Sequence, residues 1–342
     1  MAANVRIKNG GFYIGGFPAN HGNLVSEGRL IGVYTDMCGF FDKSGKVAGF
    51  DIYRNKREFI ENLSVWKNSG INLVTAAFQS PNPFPEYYKK AREQDKNSDF
   101  SHASSALNSD GSLDYDYLAN LGDIIKSAGN LGFIVFVNIL NSSCEHIFQD
   151  EFAVVTGIFN AVGWLEEKNF PNVLVNITDV SHTFYKSSVL NGDKLIKIFK
   201  AIKDRVKDNL ILGAGIKSFA NVSPENIGEY IKYSDFIPIY AKSNHSTKKM
   251  TENIYFFRER MAEKGEETPI IMVKGDDLSE QYNSYGKNNL IEALENKISW
   301  CYYDRDGFVI LPVDWNKNSS QKKINFFREA EKINDLQIKQ NS

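Results

Sequence analysis

The strongest constraint in this sequence is its rhythm. Short apolar runs that end in polar residues alternate with longer segments of helical periodicity, about eight times along 342 residues. The runs fall at 29–37, 71–78, 133–140, 173–177, 210–214, 235–240, 269–273 and 297–303. Helices are expected at 56–68, 114–131, 151–168, 193–207, 251–264, 287–296 and 320–333, with a short one opening at Ser223-Pro224-Glu225. Phe59, Ile60, Leu63 and Trp66 share one helical face, as do Leu195, Ile196, Phe199 and Ile202. The strands are short apolar runs, as expected when both faces are buried. Repeated strand–helix units close a parallel sheet, so the expected class is α/β, a (β/α)8 TIM barrel. An open doubly wound sheet is disfavoured, because no Gly-x-Gly-x-x-Gly follows the first strand.

Before the first barrel strand, residues 5–14 alternate around Asn9-Gly10-Gly11, the signal of a short N-terminal β-hairpin. The expected division is a hairpin and lead-in over 1–28, a barrel over 29–335 and a polar tail over 336–342. Hydrophobic residues make up 42%, enough for one large core. A net charge of −2 argues against a nucleic-acid surface, which needs clustered positive charge. No apolar run reaches the roughly 18 residues of a membrane span. Residues 1–16 lack the apolar core of a signal peptide, so the expected location is the cytoplasm or a particle. Cys38, Cys144 and Cys301 are odd in number and widely spaced, so free thiols are expected, without a disulfide framework or zinc site. The segment 80–112 carries Pro81, Pro83 and Pro85 and reads as a long polar loop, of the kind that is either functional or disordered.

Residues 170–184 hold the most informative phrase. A short apolar strand breaks there into Thr178, Asp179, Ser181 and His182. Chemistry in such barrels sits at the C-terminal strand ends. The run from Asn172 to Val180 resembles the fourth strand of the cellulase-like glycoside hydrolases, whose phrase is Asn-Val-x-x-Glu-ϕ-x-Asn-Glu. Further resemblances follow in order: Arg54-Asn55 to Trp66, Ser69-Gly70-Ile71-Asn72, Trp164 before the fourth strand, Pro269-Ile270-Ile271, and Ser299-Trp300 with Tyr302-Tyr303-Asp304. The resemblance implies the barrel with a small strand pair closing its bottom, and a sugar site at its mouth. It also implies an acid/base at the end of strand four and a nucleophile at the end of strand seven. Those positions hold Val180 and Lys274. Retaining glycosidases need two carboxylates about 5 Å apart. An alkyl group and an ammonium supply neither, and a cation opposes an oxocarbenium-like transition state.

The leading expectation is therefore a glycosidase-like barrel that has lost hydrolysis and binds carbohydrate or serves as a structural body. One alternative is an active retaining hydrolase using Asp179 and Asp276. Another is a scaffold subunit in a homo-oligomer or larger assembly. Asp36, Gln79, Asn138, Asn141, His182, Tyr240, Asn244, Lys274 and Trp300 lie near strand ends and are the candidate sugar contacts. The resemblance assigns Trp300 a platform role, and core packing of the eighth strand competes with it. Lys217, Lys242 and Lys274 follow three successive strands and would make a positive mouth, or else reach solvent. His182 and His245, taken with Asp179 and Asn244, lack metal-ligand spacing, so neither metal nor cofactor is expected.

Overall fold

A computed structural model describes residues 4–20, 22, 26–35, 51–80, 104–179, 187–190, 192–206, 208–215, 224–240, 247–265, 267–275, 288–304, 308 and 313–338. The hairpin forms as expected. β1 (Val5–Lys8) and β2 (Gly11–Ile14) pair antiparallel, with Lys8 opposite Gly11. The turn residues Asn9 and Gly10 both have positive φ, 49° and 64°. Two consecutive left-handed residues are what a two-residue hairpin turn demands, and Asn-Gly tolerates them best. β3 (Phe17–Pro18) extends this small sheet along β2.

The barrel strands follow. They are β4 (Ile31–Tyr34), β5 (Leu73–Ala77), β8 (Ile134–Asn141), β9 (Val173–Asp179), β10 (Ile211–Gly213), β11 (Ile237–Tyr240), β12 (Ile270–Gly275) and β13 (Ile298–Tyr303). Their order in the sheet is β10-β9-β8-β5-β4-β13-β12-β11, all parallel. The two end strands are stitched rather than fully paired. The Asp235 N–H donates to the Leu212 carbonyl at 2.9 Å, and the Leu212 N–H donates to Asp235 Oδ2 at 2.8 Å. The fourth strand runs two residues past its expected end, to Asp179, because Asn138–Asn176 and Asn141–Asp179 stay in register with β8. β6 (Gln79–Ser80) and β7 (Ser104–Ser105) pair antiparallel at the mouth.

Helices α1 (Ile52–Asn68), α2 (Tyr115–Asn130), α3 (Glu151–Lys168), α4 (Gly192–Val206), α5 (Pro224–Tyr233), α6 (Thr247–Lys264), α7 (Asn289–Glu295) and α8 (Gln321–Ile338) surround the sheet. Local chemistry starts several of them. Asp51 accepts from the Tyr53 and Arg54 N–H groups, Asp114 from Asp116 and Tyr117, Asp150 from Ala153, and Asn288 from Ile291. Each side chain satisfies donors that a helix start leaves open, typically worth about 1 kcal/mol. Asn169 ends α3 in the left-handed region at φ 48°.

The core has two layers because strand side chains alternate. Outward residues such as Val74, Val135, Val175, Met272 and Trp300 pack against Phe59, Leu121, Ile158 and Phe199 of the helices. Inward residues such as Leu73, Phe136, Leu174, Ile271 and Cys301 fill the barrel. Val5 and Phe12 of the hairpin join that inner cluster, so the hairpin is the barrel floor. The Val5 N–H donates to the Pro171 carbonyl and the Phe12 N–H to Gly28. Cys144 and Cys301 are buried and are not joined by a disulfide.

Candidate functional site

The site is built where inward parity places polar side chains near the top of the strands. Along β9 the inward series is Leu174, then Asn176, then Thr178, so the barrel changes from oil to hydrogen bonds within one strand. Asn176 is fully buried. Its Nδ2 donates to Asn138 Oδ1 at 2.7 Å and lies 2.6 Å from the Tyr240 hydroxyl oxygen. The Tyr240 hydroxyl in turn donates to Asn138 Oδ1 at 3.1 Å. The Gly215 N–H donates to Asn176 Oδ1 at 2.9 Å, and Thr178 Oγ1 donates to the Gly215 carbonyl at 2.8 Å. Strands β8, β9 and β11 and the residues after β10 thus share one network. Satisfying buried amides this way avoids a desolvation cost of about 1–3 kcal/mol for each unmade bond. Asn138 Nδ2 has no acceptor among the described residues.

One register step higher stands Asp179, fully buried. The Tyr34 hydroxyl donates to its Oδ2 at 3.1 Å, and Asn141 Nδ2 approaches the same oxygen at 3.4 Å. The Asn141 N–H donates to Gln79 Oε1 at 3.2 Å, and Gln79 Nε2 donates to Ser105 Oγ at 3.3 Å. The acid is therefore held in a chain of contacts running from β4 through β9 and β8 to the β6–β7 pair. Tyr303 stands edge-on to Tyr34, with ring centroids 5.4 Å apart. Tyr240 and Tyr303 are partly exposed and give the mouth an aromatic rim.

The structure brings together Gln79, Asn138, Asn141, Asp179 and Tyr240. Trp300 does not join them. It sits opposite Ile31 and Met272 in register, 1% exposed in the outer layer, and is packed rather than offered as a platform. Period-two alternation explains this: Trp300 and Tyr302 point to the helices, while Cys301 and Tyr303 point inward. Lys274 pairs with Tyr240 where the β11–β12 register shifts. Asp36, Val180, His182, Lys217, Lys242, Asn244, His245 and Asp276 and the side chain of Lys274 lie outside the described residues. Sequence reasoning passed over Tyr34, Asn176 and Tyr303. A lone Asn at inward parity in an otherwise apolar strand was the available signal for Asn176. Among the described residues no group of His, Cys, Asp or Glu side chains gathers as metal ligands, and no helix is long and apolar enough to cross a membrane.

No family model matches the sequence, and no curated protein matches it in sequence. Solved structures match in fold. The endo-1,4-beta-mannanase from Rhizomucor miehei is 11% identical, with a TM-score of 0.58 over 98% of this chain and 99% of that one. The beta-mannanase of Thermomonospora fusca in its mannotriose complex is 13% identical, with a TM-score of 0.58 over 98% and 97%. The catalytic domain of a mannanase from Streptomyces sp. SirexAA-E is 10% identical, with a TM-score of 0.56 over 98% and 93%. Eight parallel strands wrapped by helices, a hairpin floor and these end-to-end alignments give one conclusion: the chain has a (β/α)8 barrel fold, shared with these mannanases.

Proposed function

We propose that this barrel binds an oligosaccharide at its C-terminal mouth and does not cleave it. The observation that carries the reading is Asp179: the carboxylate at the end of β9 is 0% exposed and bound to Tyr34 and Asn141. A general acid or nucleophile must reach a glycosidic bond, and a side chain sealed below the mouth does not. Sequence points the same way, with Val180 and Lys274 at the positions the resemblance assigns to the acid/base and the nucleophile. The rim supplies what binding needs. Tyr240 and Tyr303 offer aromatic surface, and the Asn138–Asn176–Tyr240 network holds it rigid. The mannanases of like fold make β-1,4-linked mannose oligomers the first ligands to try.

The test is calorimetric titration with mannohexaose and cellohexaose, followed by chromatography of each sugar after long incubation. Saturable binding with the sugar recovered intact is the expected result. Turnover that disappears in Asp179→Asn and in Asp276→Asn would overturn the proposal in favour of a retaining hydrolase. Absence of binding together with stable multimers on sizing would overturn it in favour of a scaffold role.

A further inference from the structure

A second cleft lies at the opposite end of the barrel, beside the hairpin floor. It encloses about 500 Å³ between the hairpin turn, the C-terminal half of α6 and the starts of β12 and β13. Arg29, Arg258 and Lys297 line it, with Glu267 and the neutral Met261 and Thr268. Three cations face one carboxylate.

Arg29 is 8% exposed. Its Nη1 donates to the Gly10 and Gly28 carbonyls at 2.9 and 3.0 Å, which fixes the guanidinium against the floor. Its Nε is buried and has no acceptor among the described residues. Arg258 is anchored through Nη2 to the Asn296 carbonyl. Among the described residues neither guanidinium enters an ion pair. Burial and then the charge of Arg258 lower the Arg29 pKa, and Glu267 opposes them only in part. A buried cation that meets a second cation, with only the Glu267 carboxylate nearby and no ion pair to it, is costly, and its forked donors match an oxyanion in geometry.

We propose that this cleft is an anion site, taking the carboxylate or phosphoryl group of a small molecule between Arg29 and Arg258. Lys297, exposed at the edge, completes the charge. The site is remote from the mouth and does not depend on sugar binding there.

Titration calorimetry at low ionic strength with inorganic phosphate, citrate and neutral mannose tests it. Saturable heat with phosphate or citrate and none with mannose is expected. The same titration on Arg258→Gln should weaken binding about tenfold, the loss expected for one charged hydrogen-bond partner. Binding of phosphate alone assigns a phosphoryl ligand, and binding of citrate alone a carboxylate. No saturation below about 10 mM, or equal affinity in Arg258→Gln, would reduce Arg29 to a floor anchor and end the proposal. If Arg258→Gln does not fold by circular dichroism, exposed Lys297→Gln replaces it, with a loss of about threefold expected and unchanged affinity counting against the site.

Discussion

The Tyr34 hydroxyl donates to Asp179 Oδ2 at 3.1 Å, joining the first barrel strand to the fourth. Both residues are fully buried, so the bond is made away from water. Tyr34→Phe keeps the ring and its edge contact with Tyr303 but leaves the carboxylate one donor short. The expected loss is about 1–3 kcal/mol, read from urea denaturation. An unchanged midpoint would mean that the hydroxyl is not bonded to Asp179 in solution.

Two glycines predict opposite outcomes. A Cβ on Gly213 in β10 would come within 2.7 Å of a Phe236 ring carbon and 2.8 Å of the Phe236 carbonyl oxygen. The backbone atom cannot swing aside, so Gly213→Ala should destabilise by about 1–3 kcal/mol or more. Gly122 lies inside α2, and its Cβ would meet Phe170 and Trp164 at 3.6 and 3.8 Å, ordinary contact distances. Gly122→Ala removes backbone freedom from the unfolded chain and should stabilise by about 0.5–1 kcal/mol. Thermal melts of the two variants should move in opposite directions.

Acid unfolding offers a third check. Ser69 Oγ donates to Glu331 Oε1 at 2.7 Å, and Lys317 Nζ lies 2.5 Å from the same oxygen. Burial raises the Glu331 pKa, but the bonds from Lys317 and Ser69 outweigh it, and the net shift is below the ordinary 4.5. A carboxylate with a depressed folded pKa stabilises the protein above its unfolded value, and that stabilisation is lost as pH falls through the folded pKa. Glu331 is partly exposed, so solvent screening holds the effect below about 1 kcal/mol. In Glu331→Gln the stability difference from the parent should be present at neutral pH and vanish in acid. A difference that persisted once the carboxylate is fully protonated would assign the loss to packing.

The barrel was legible in the chain because its cause is local. Apolar runs of strand length, Asp and Asn caps and the Asn9-Gly10 turn each act over a few residues, and they agree with one another. The site was less legible because its contacts are not local. Asn176 reaches Tyr240 across 64 residues, and Tyr34 reaches Asp179 across 145. Trp300 shows the limit most clearly. Residue type and strand-end position fitted a sugar platform as well as the core, and only the parity of β13 about Cys301 and Tyr303 placed it with the helices.

The mouth tyrosines separate binding from architecture. Tyr303 is partly exposed, and it touches Tyr34 edge-on at 5.4 Å. Tyr303→Ala removes rim surface while leaving the Asn138–Asn176 bond of 2.7 Å untouched. If the ring stacks on a sugar, its loss should weaken oligosaccharide binding by about 0.5–1.5 kcal/mol, or roughly twofold to tenfold. Tyr240→Phe does the reverse. The ring stays, but the hydroxyl that lies 2.6 Å from Asn176 Nδ2 and 3.1 Å from Asn138 Oδ1 is gone. That substitution should lower stability by about 1–2 kcal/mol, with a smaller effect on affinity. Calorimetry and urea melts on both variants give four numbers, and a mouth that binds sugar requires the two losses to fall on different variants. Equal losses of stability with no change in affinity would place both tyrosines in the scaffold, and the carbohydrate reading of the rim would fall.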